Sequence, residues 1–269
     1  LRLKDQALDG MMVSRAIPEE EAMAAAAMFQ LGGDLAGFLQ QVTESFKVQI
    51  EGRIENPRQS TRLVLDILGI QPEDLTLDGY WQRMLDDKSE DAFRVEIAHQ
   101  DNQVSSEESR GNLQSGLLVQ SDAPAIREKA LEITGGAESN REKAECILEW
   151  VYDNMDRSAL RMTIPSAVEV LESRKGDCNE HATLFAALAR AAGVPAKICS
   201  GAMYMGNGFA YHAWNEVAVE DQGWLPVDSA WNQFPADATH LKLVEGELDR
   251  QVGVLRAVGK LKLKIVESE

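Results

Sequence analysis

Between Arg174 and Ala192 the chain reads Arg-Lys-Gly-Asp-Cys-Asn-Glu-His-Ala-Thr-Leu-Phe-Ala-Ala-Leu-Ala-Arg-Ala-Ala. Ala182, Phe185, Ala189 and Ala192, with Leu184 and Leu188 beside them, recur at steps of three and four residues until Gly193 and Pro195 stop the pattern. The stretch reads as a buried helix with Cys178 in its first turn. Unpaired backbone N–H groups and the positive end of the helix dipole lie there, both favour an anion, and the thiolate is the reactive form of cysteine. Placement alone makes Cys178 a candidate nucleophile.

A nucleophile also needs a base, and the base needs a group that orients it. Both follow downstream. Gly208-Phe-Ala-Tyr-His-Ala-Trp-Asn-Glu-Val-Ala-Val-Glu220 is rich in aromatic and β-branched residues and reads as a strand carrying His212. After a turn at Glu220-Asp-Gln-Gly223, Trp224 to Ser229 reads as its partner strand, carrying Asp228. With a three-residue loop, Glu220 to Gln222, Val219 pairs with Gly223, and Asp228 falls opposite Trp214, diagonal to His212 on the same face. A two-residue loop would put His212 and Asp228 on opposite faces unless a bulge intervened.

His181 is a competing base, three residues after Cys178 and on the same helical face. The pair also invites a metal reading, with Cys178, His181, His212 and Asp228 as ligands. Zinc-site cysteines usually come in closely spaced pairs, and here there is one, so no metal and no cofactor is expected. Trp214 and Trp224 are pocket walls or core, Trp214 being the candidate for substrate contact. Glu180 and Glu216 could line a cleft or sit in solvent.

In this order the pieces carry a resemblance. Gly176-Asp177-Cys178, Ala189-Arg190-Ala-Ala-Gly193-Val-Pro-Ala196, Tyr211-His212-Ala-Trp214-Asn-Glu-Val217, Gly223-Trp224-Leu-Pro-Val-Asp228 and Ala238-Thr-His240-Leu-Lys-Leu together resemble the catalytic core of the transglutaminase-like superfamily, of bacterial type, within the papain-like thiol enzymes. The resemblance reaches upstream less distinctly, to about Leu118. It implies Cys178 as nucleophile, His212 as base and Asp228 as orienting carboxylate. The implied activity is a cysteine peptidase or amidase working through a thioester. Alternatives are a transglutaminase-type transamidase, acyl transfer from a carrier thioester as in arylamine acetyltransferases, and a non-catalytic peptide-binding module on the same fold.

The rest of the chain sets bounds. Its 269 residues, 44% of them hydrophobic, can bury one large or two modest domains. A net charge of −17 argues against nucleic acid or an anionic membrane as partner. A protein or peptide substrate remains. Cys146, Cys178 and Cys199 are too few and too scattered for a disulfide framework. No apolar run reaches the ~18 residues of a membrane span. The chain begins at Leu1 rather than Met, and a removed signal or anchor would place it outside the cytoplasm, periplasmic or secreted, with a cytoplasmic location as the alternative.

Pro18 to Phe29 reads as a helix, with proline in its first turn and Gly32-Gly33 after it. Phe46 to Glu51, Thr61 to Leu68 and Phe93 to Ala98 read as strands, so residues 1–110 are expected to form a smaller mixed α/β domain. His99 reads as a solvated strand end, and the polar stretch from His99 to Ser115 as a linker. From 116 to 269 the expectation is an α+β domain. Ser121-Asp-Ala-Pro124 caps a helix to about Ile133, a second runs from about Asn140, and Ser166 caps a third over Ala167 to Leu171. These deliver the chain to Gly176, where a missing side chain permits a tight turn. Strands over Ala196 to Met205, Phe209 to Val219, Trp224 to Asp228 and Leu241 to Val244 form the antiparallel sheet on which the Cys178 helix packs. Lys260 to Val266 alternates as a strand with one wet face.

Overall fold

The computed structural model describes residues 48–74, 76, 79–86, 92–100, 104–157, 165–247 and 252–269. The expected helix over 18–29 and the first two residues of the strand at 46–51 lie outside these residues.

Strands β1 (Gln49–Glu51), β2 (Arg62–Leu68), β3 (Gln82–Leu85) and β4 (Ala92–Ala98) precede five helices: α1 (Ser106–Gly111), α2 (Pro124–Thr134), α3 (Asn140–Asn154), α4 (Ala167–Ser173) and α5 (Cys178–Ala191). Strands β5 (Ala196–Met205), β6 (Gly208–Val219), β7 (Gly223–Val227), β8 (His240–Glu245) and β9 (Lys262–Ser268) complete the order. The fold is α+β, with α5 packed on a four-stranded antiparallel sheet ordered β7-β6-β5-β8.

Local chemistry explains the helix starts. Ser139, Ser166 and Asp177 each accept a backbone N–H of the first turn, and Glu142, Glu169 and Glu180 reach back to the cap residue. Helix α2 differs from expectation. Its cap is Ala123, without a side-chain bond, because Asp122 is taken by the Ser115 hydroxyl.

Two cores organise the layers. Ile126, Ala144, Ile147, Leu148, Val151, Leu184, Phe185 and Leu188 from the helices meet Ile198, Ala213, Val217 and Leu225 from the sheet. Farther along the same strands, Ala202, Tyr204, Phe209 and Tyr211 join Leu63, Leu65, Ile67, Phe93, Val95 and Ile97 of a second sheet. That sheet is ordered β1-β9-β2-β4-β3.

Two features depart from the sequence reading. Strand β9 enters the leading sheet, parallel to β1 and antiparallel to β2, so the last strand closes a layer begun before residue 70 and the chain does not divide cleanly near 110–116. The stretch expected as a linker also contains helix α1, docked on the four-stranded sheet. Glu108 Oε1 meets Lys197 Nζ at 2.8 Å, Tyr80 donates to Glu108 Oε2 at 2.6 Å, and Asn112 accepts from Ala196 N at 3.0 Å. The polar composition that suggested a linker satisfies a buried lysine instead.

Candidate active site

The loop between β6 and β7 decides whether His212 and Asp228 share a face. Val219 pairs with Gly223 and Asn215 with Val227, the register expected for a three-residue loop. Asp228 therefore follows on the face of Trp214 and His212. His212 Nε2 lies 2.7 Å from Asp228 Oδ2, both groups buried. Asp228 Oδ1 accepts from Ala230 N at 2.9 Å and Trp231 N at 3.2 Å, which fixes the carboxylate in its loop.

Cys178 begins α5, as expected, with Asp177 as its cap. The backbone N–H of Ala213, the residue after His212, lies where it favours the Cys178 anion, and the charge of Asp228 opposes it. The structure thus brings Cys178 to the His212 segment. With Nε2 committed to Asp228, Nδ1 is the imidazole atom left for the thiol.

Burial opposes the expected thiolate. Cys178 is 1% exposed, and burial first, then the charge of Asp177, pushes its thiol well above the ordinary range, outweighing the Ala213 amide. Withdrawal from water costs the anion more than one turn of helix dipole returns.

His181 is fully buried, with Nδ1 2.7 Å from the Asp177 carbonyl oxygen, so Nδ1 carries the hydrogen. Its Nε2 has no hydrogen-bond partner among the described residues, and burial lowers its pKa. It is tied to its own helix start and makes no hydrogen bond to Asp228. The ligand set imagined from Cys178, His181, His212 and Asp228 does not assemble either. The group with metal-compatible spacing is His212, Asp228 and His240, whose ligand atoms lie within 4.8 Å of one another. There, the hydrogens of two imidazoles already occupy the shared carboxylate.

Glu180 and Glu216 are buried, not solvated. Glu180 Oε2 accepts from Asp177 N at 2.7 Å, and its side chain fills the space left by Gly176, where an added Cβ would fall 2.2 Å from that of Glu180. Burial and the neighbouring Asp177 raise the Glu180 pKa to about 7. An unfolded glutamate ionises near pH 4.5, so stability from this group is present below that pH and is lost as pH rises toward 7. Glu180→Gln keeps the acceptor and removes the charge. It is expected to raise stability at pH 8 by on the order of 2 kcal/mol and to change it little at pH 4.5, read from urea midpoints.

Trp214 does not line an open cleft. It is 2% exposed, stacked on His212 with centroids 6.2 Å apart and edge-on to His240 at 5.2 Å. Trp224 is core, with Lys197 Nζ 4.2 Å from its ring centroid. Asn154, a conceivable oxyanion donor, gives its amide to Trp150 O at 2.9 Å. Cys146 and Cys199 are free thiols, and Cys199 is fully buried.

The sequence reading gave His240 no role. Its Nε2 lies 3.1 Å from Asp228 Oδ2, so the carboxylate holds two histidines at once. The signal was in the spacing, an Asp237-Ala-Thr-His240 run beginning the strand beside β5, but which residue it would meet depended on sheet order.

A helix-start cysteine, a strand histidine and a buried aspartate paired to that histidine make up the candidate site. Residues 127–229 match the family model of the transglutaminase-like superfamily. The Kyphoscoliosis peptidase of Mus musculus is 29% identical over 138 residues, covering 44% of this chain and 20% of the mouse protein, so the chain spans about a fifth of that relative's length. Among solved structures, the periplasmic domain of TgpA from Pseudomonas aeruginosa bound to ethylmercury is 17% identical, with a TM-score of 0.49 over 65% of this chain and 74% of that one. A second structure of that domain is 18% identical, with a TM-score of 0.48 over 70% and 73%. No helix among the described residues is long and apolar enough to cross a membrane.

Proposed function

We propose that the chain is a cysteine peptidase or amidase in which Cys178 is the nucleophile, His212 the base and Asp228 the carboxylate that orients it. The observation that carries this reading is the 2.7 Å His212–Asp228 pair placed next to the Ala213 amide that favours the Cys178 anion. With burial opposing the thiolate, His212 Nδ1 takes the thiol proton as sulfur attacks the substrate carbonyl. The C–S bond forms, the C–N bond breaks, and the proton passes from His212 to the departing amine. Water then adds to the thioester, giving its proton to His212, and releases the acid and the thiol. Asp228 holds the imidazole in the tautomer that leaves Nδ1 free and stabilises the imidazolium. The Cys178 backbone N–H is the first oxyanion donor.

Hydrolysis is favoured over transamidation because an amine competing with water requires a dedicated dry channel. The peptidase name of the mouse relative agrees with that side. Burial of the sulfur favours a second reading, a peptide-binding module on the same fold that no longer reacts. Iodoacetamide labelling against pH separates the two. Catalysis requires Cys178 to label faster than Cys199 below the ordinary thiol pKa of about 8.5, and His212→Ala to slow it at least about tenfold. Equal, slow labelling of both cysteines would leave the binding module. Mass analysis of peptide products formed with and without an added primary amine then separates hydrolysis from transamidation.

A further inference from the structure

We propose that His240 is a positioning residue that holds the Asp228 carboxylate from the side opposite His212 and sets the pH at which the Cys178–His212 pair gives up its proton. This rests on the reading of Cys178, His212 and Asp228 as the reacting trio.

The placement is built by the sheet. In the middle strand β5, Gly201 pairs with His212 on one side, and Met203 pairs with His240 on the other, so both histidines lie on one face. Gly201 has no side chain to separate them. A Cβ there would fall 2.0 Å from the Leu241 carbonyl oxygen, beside a register shift between Ser200 and Gly201 that brings β8 in. The two rings end with centroids 6.0 Å apart and Asp228 between them.

Both nitrogens of His240 face oxygen acceptors. Nε2 meets Asp228 Oδ2 at 3.1 Å, and Nδ1 meets the Asp237 carbonyl oxygen at 2.9 Å and Asp237 Oδ1 at 3.5 Å. A neutral ring can donate from one nitrogen only, so satisfying both requires the imidazolium. Burial opposes that charge, but Asp228 and Asp237 outweigh it and raise the His240 pKa to about 9. Asp237 is itself held near 2, where His240, Thr239 and Arg58 overcome its burial. Arg58, from the 3-10 turn Pro57–Gln59 ahead of β2, pairs with Asp237 Oδ2 at 2.9 Å. A row of alternating charge thus runs from the leading segment to His212: Arg58, Asp237, His240, Asp228.

The other charges around the row are accounted for. On β6, Glu216 is matched by Lys242 of β8, while Asp177 at the cap of α5 and Glu180 in its first turn act, with Asp228, on the Cys178 thiol. No other cation is within ion-pair distance of Asp228 among the described residues. His240 therefore cancels part of the charge that would otherwise tighten the proton on His212. Without it, the proton lost by the coupled thiol and imidazole leaves at higher pH, whichever of the two carried it.

His240→Gln keeps a donor toward Asp228 and removes the charge. Asp237→Asn leaves His240 in place but weakens its hold on its second proton. The test is the pH profile of iodoacetamide labelling at Cys178 in the full chain and both variants. The acid limb is expected to move up by about one to two pH units in His240→Gln and by less in Asp237→Asn, with plateau rates kept within a fewfold. A limb that stays in place in folded His240→Gln makes His240 a spacer and overturns the proposal. If that variant does not fold, the Asp237→Asn limb decides alone. Parent protein without His212-dependent labelling is a different failure, since it removes the trio itself.

Discussion

Asparagine at position 228 is expected to cut the His212-dependent rate about 10⁴-fold, the size associated with holding a catalytic imidazole in the wrong tautomer. The Asp228 carboxylate accepts four donors. Oδ1 takes Ala230 N and Trp231 N, and an asparagine oxygen can take both. Oδ2 takes His212 and His240, and an asparagine NH₂ can take neither. His212 must then accept at Nε2 and carry its hydrogen on Nδ1, toward the sulfur whose proton it should remove. The carboxylate also has a stability role. Burial alone would push its pKa up, but His212 and His240 hold it well below the usual carboxylate range. Its contribution is therefore present above about pH 4 and lost as pH falls through that low value. The variant should stay folded at neutral pH, because the backbone bonds that fix the loop survive. Labelling of Cys178 and peptide turnover should fall together in Asp228→Asn. A fall in turnover with undiminished labelling would show that Asp228 acts on the substrate rather than through His212.

The local elements of the catalytic region were legible because each carries its own periodicity and punctuation. Helix α5 is bounded by Asp177 and Gly193, and strands β5 to β7 by Gly206 and Gly223. The His212–Asp228 pairing followed from one turn length. Sheet order and burial of polar groups were not legible in this way. The alternation in β9 shows a strand with one wet face, yet nothing in it says that its partners lie some 200 residues earlier. Glu180 and Glu216 read as cleft or solvent, and Glu108 fell in a stretch that read as a linker, because charged residues are usually exposed. Each is matched by a partner distant in sequence or by a helix-capping amide. The same difficulty hid the Asp228 contact of His240 and the burial of Cys178, both set by how deeply the layers cover the site. The small residues of β5 give the common cause. Cys199 and Gly201 leave room over the middle strand, and side chains from β6 and β8 meet across it.

Glu216→Ala is expected to lower stability by about 3–5 kcal/mol, the cost of leaving one member of a buried ion pair without its partner. Glu216 and Lys242 are 1% and 2% exposed, with Lys242 Nζ 2.8 and 3.0 Å from the two carboxylate oxygens. The ammonium keeps one neighbour, Glu245 at 3.2 Å, but that carboxylate also answers Lys197 at 3.2 Å. Burial alone would lower the Lys242 pKa and Glu216 leads the charges that raise it, so the loss of Glu216 leaves the buried ammonium with the shared Glu245 as its main support. For a chain of this size the melting temperature should fall by roughly 10 °C. The double variant Glu216→Leu with Lys242→Met removes both charges and should recover most of the loss, since apolar groups of similar volume can replace such a pair at little cost. The pair shares its face with His212 and His240, each two or four residues away along its strand. Stability restored without restored labelling of Cys178 would mean that the pair sets strand geometry for the two histidines. Full recovery of both would confine it to support of the sheet, and a single variant as stable as the parent would show that water reaches Lys242.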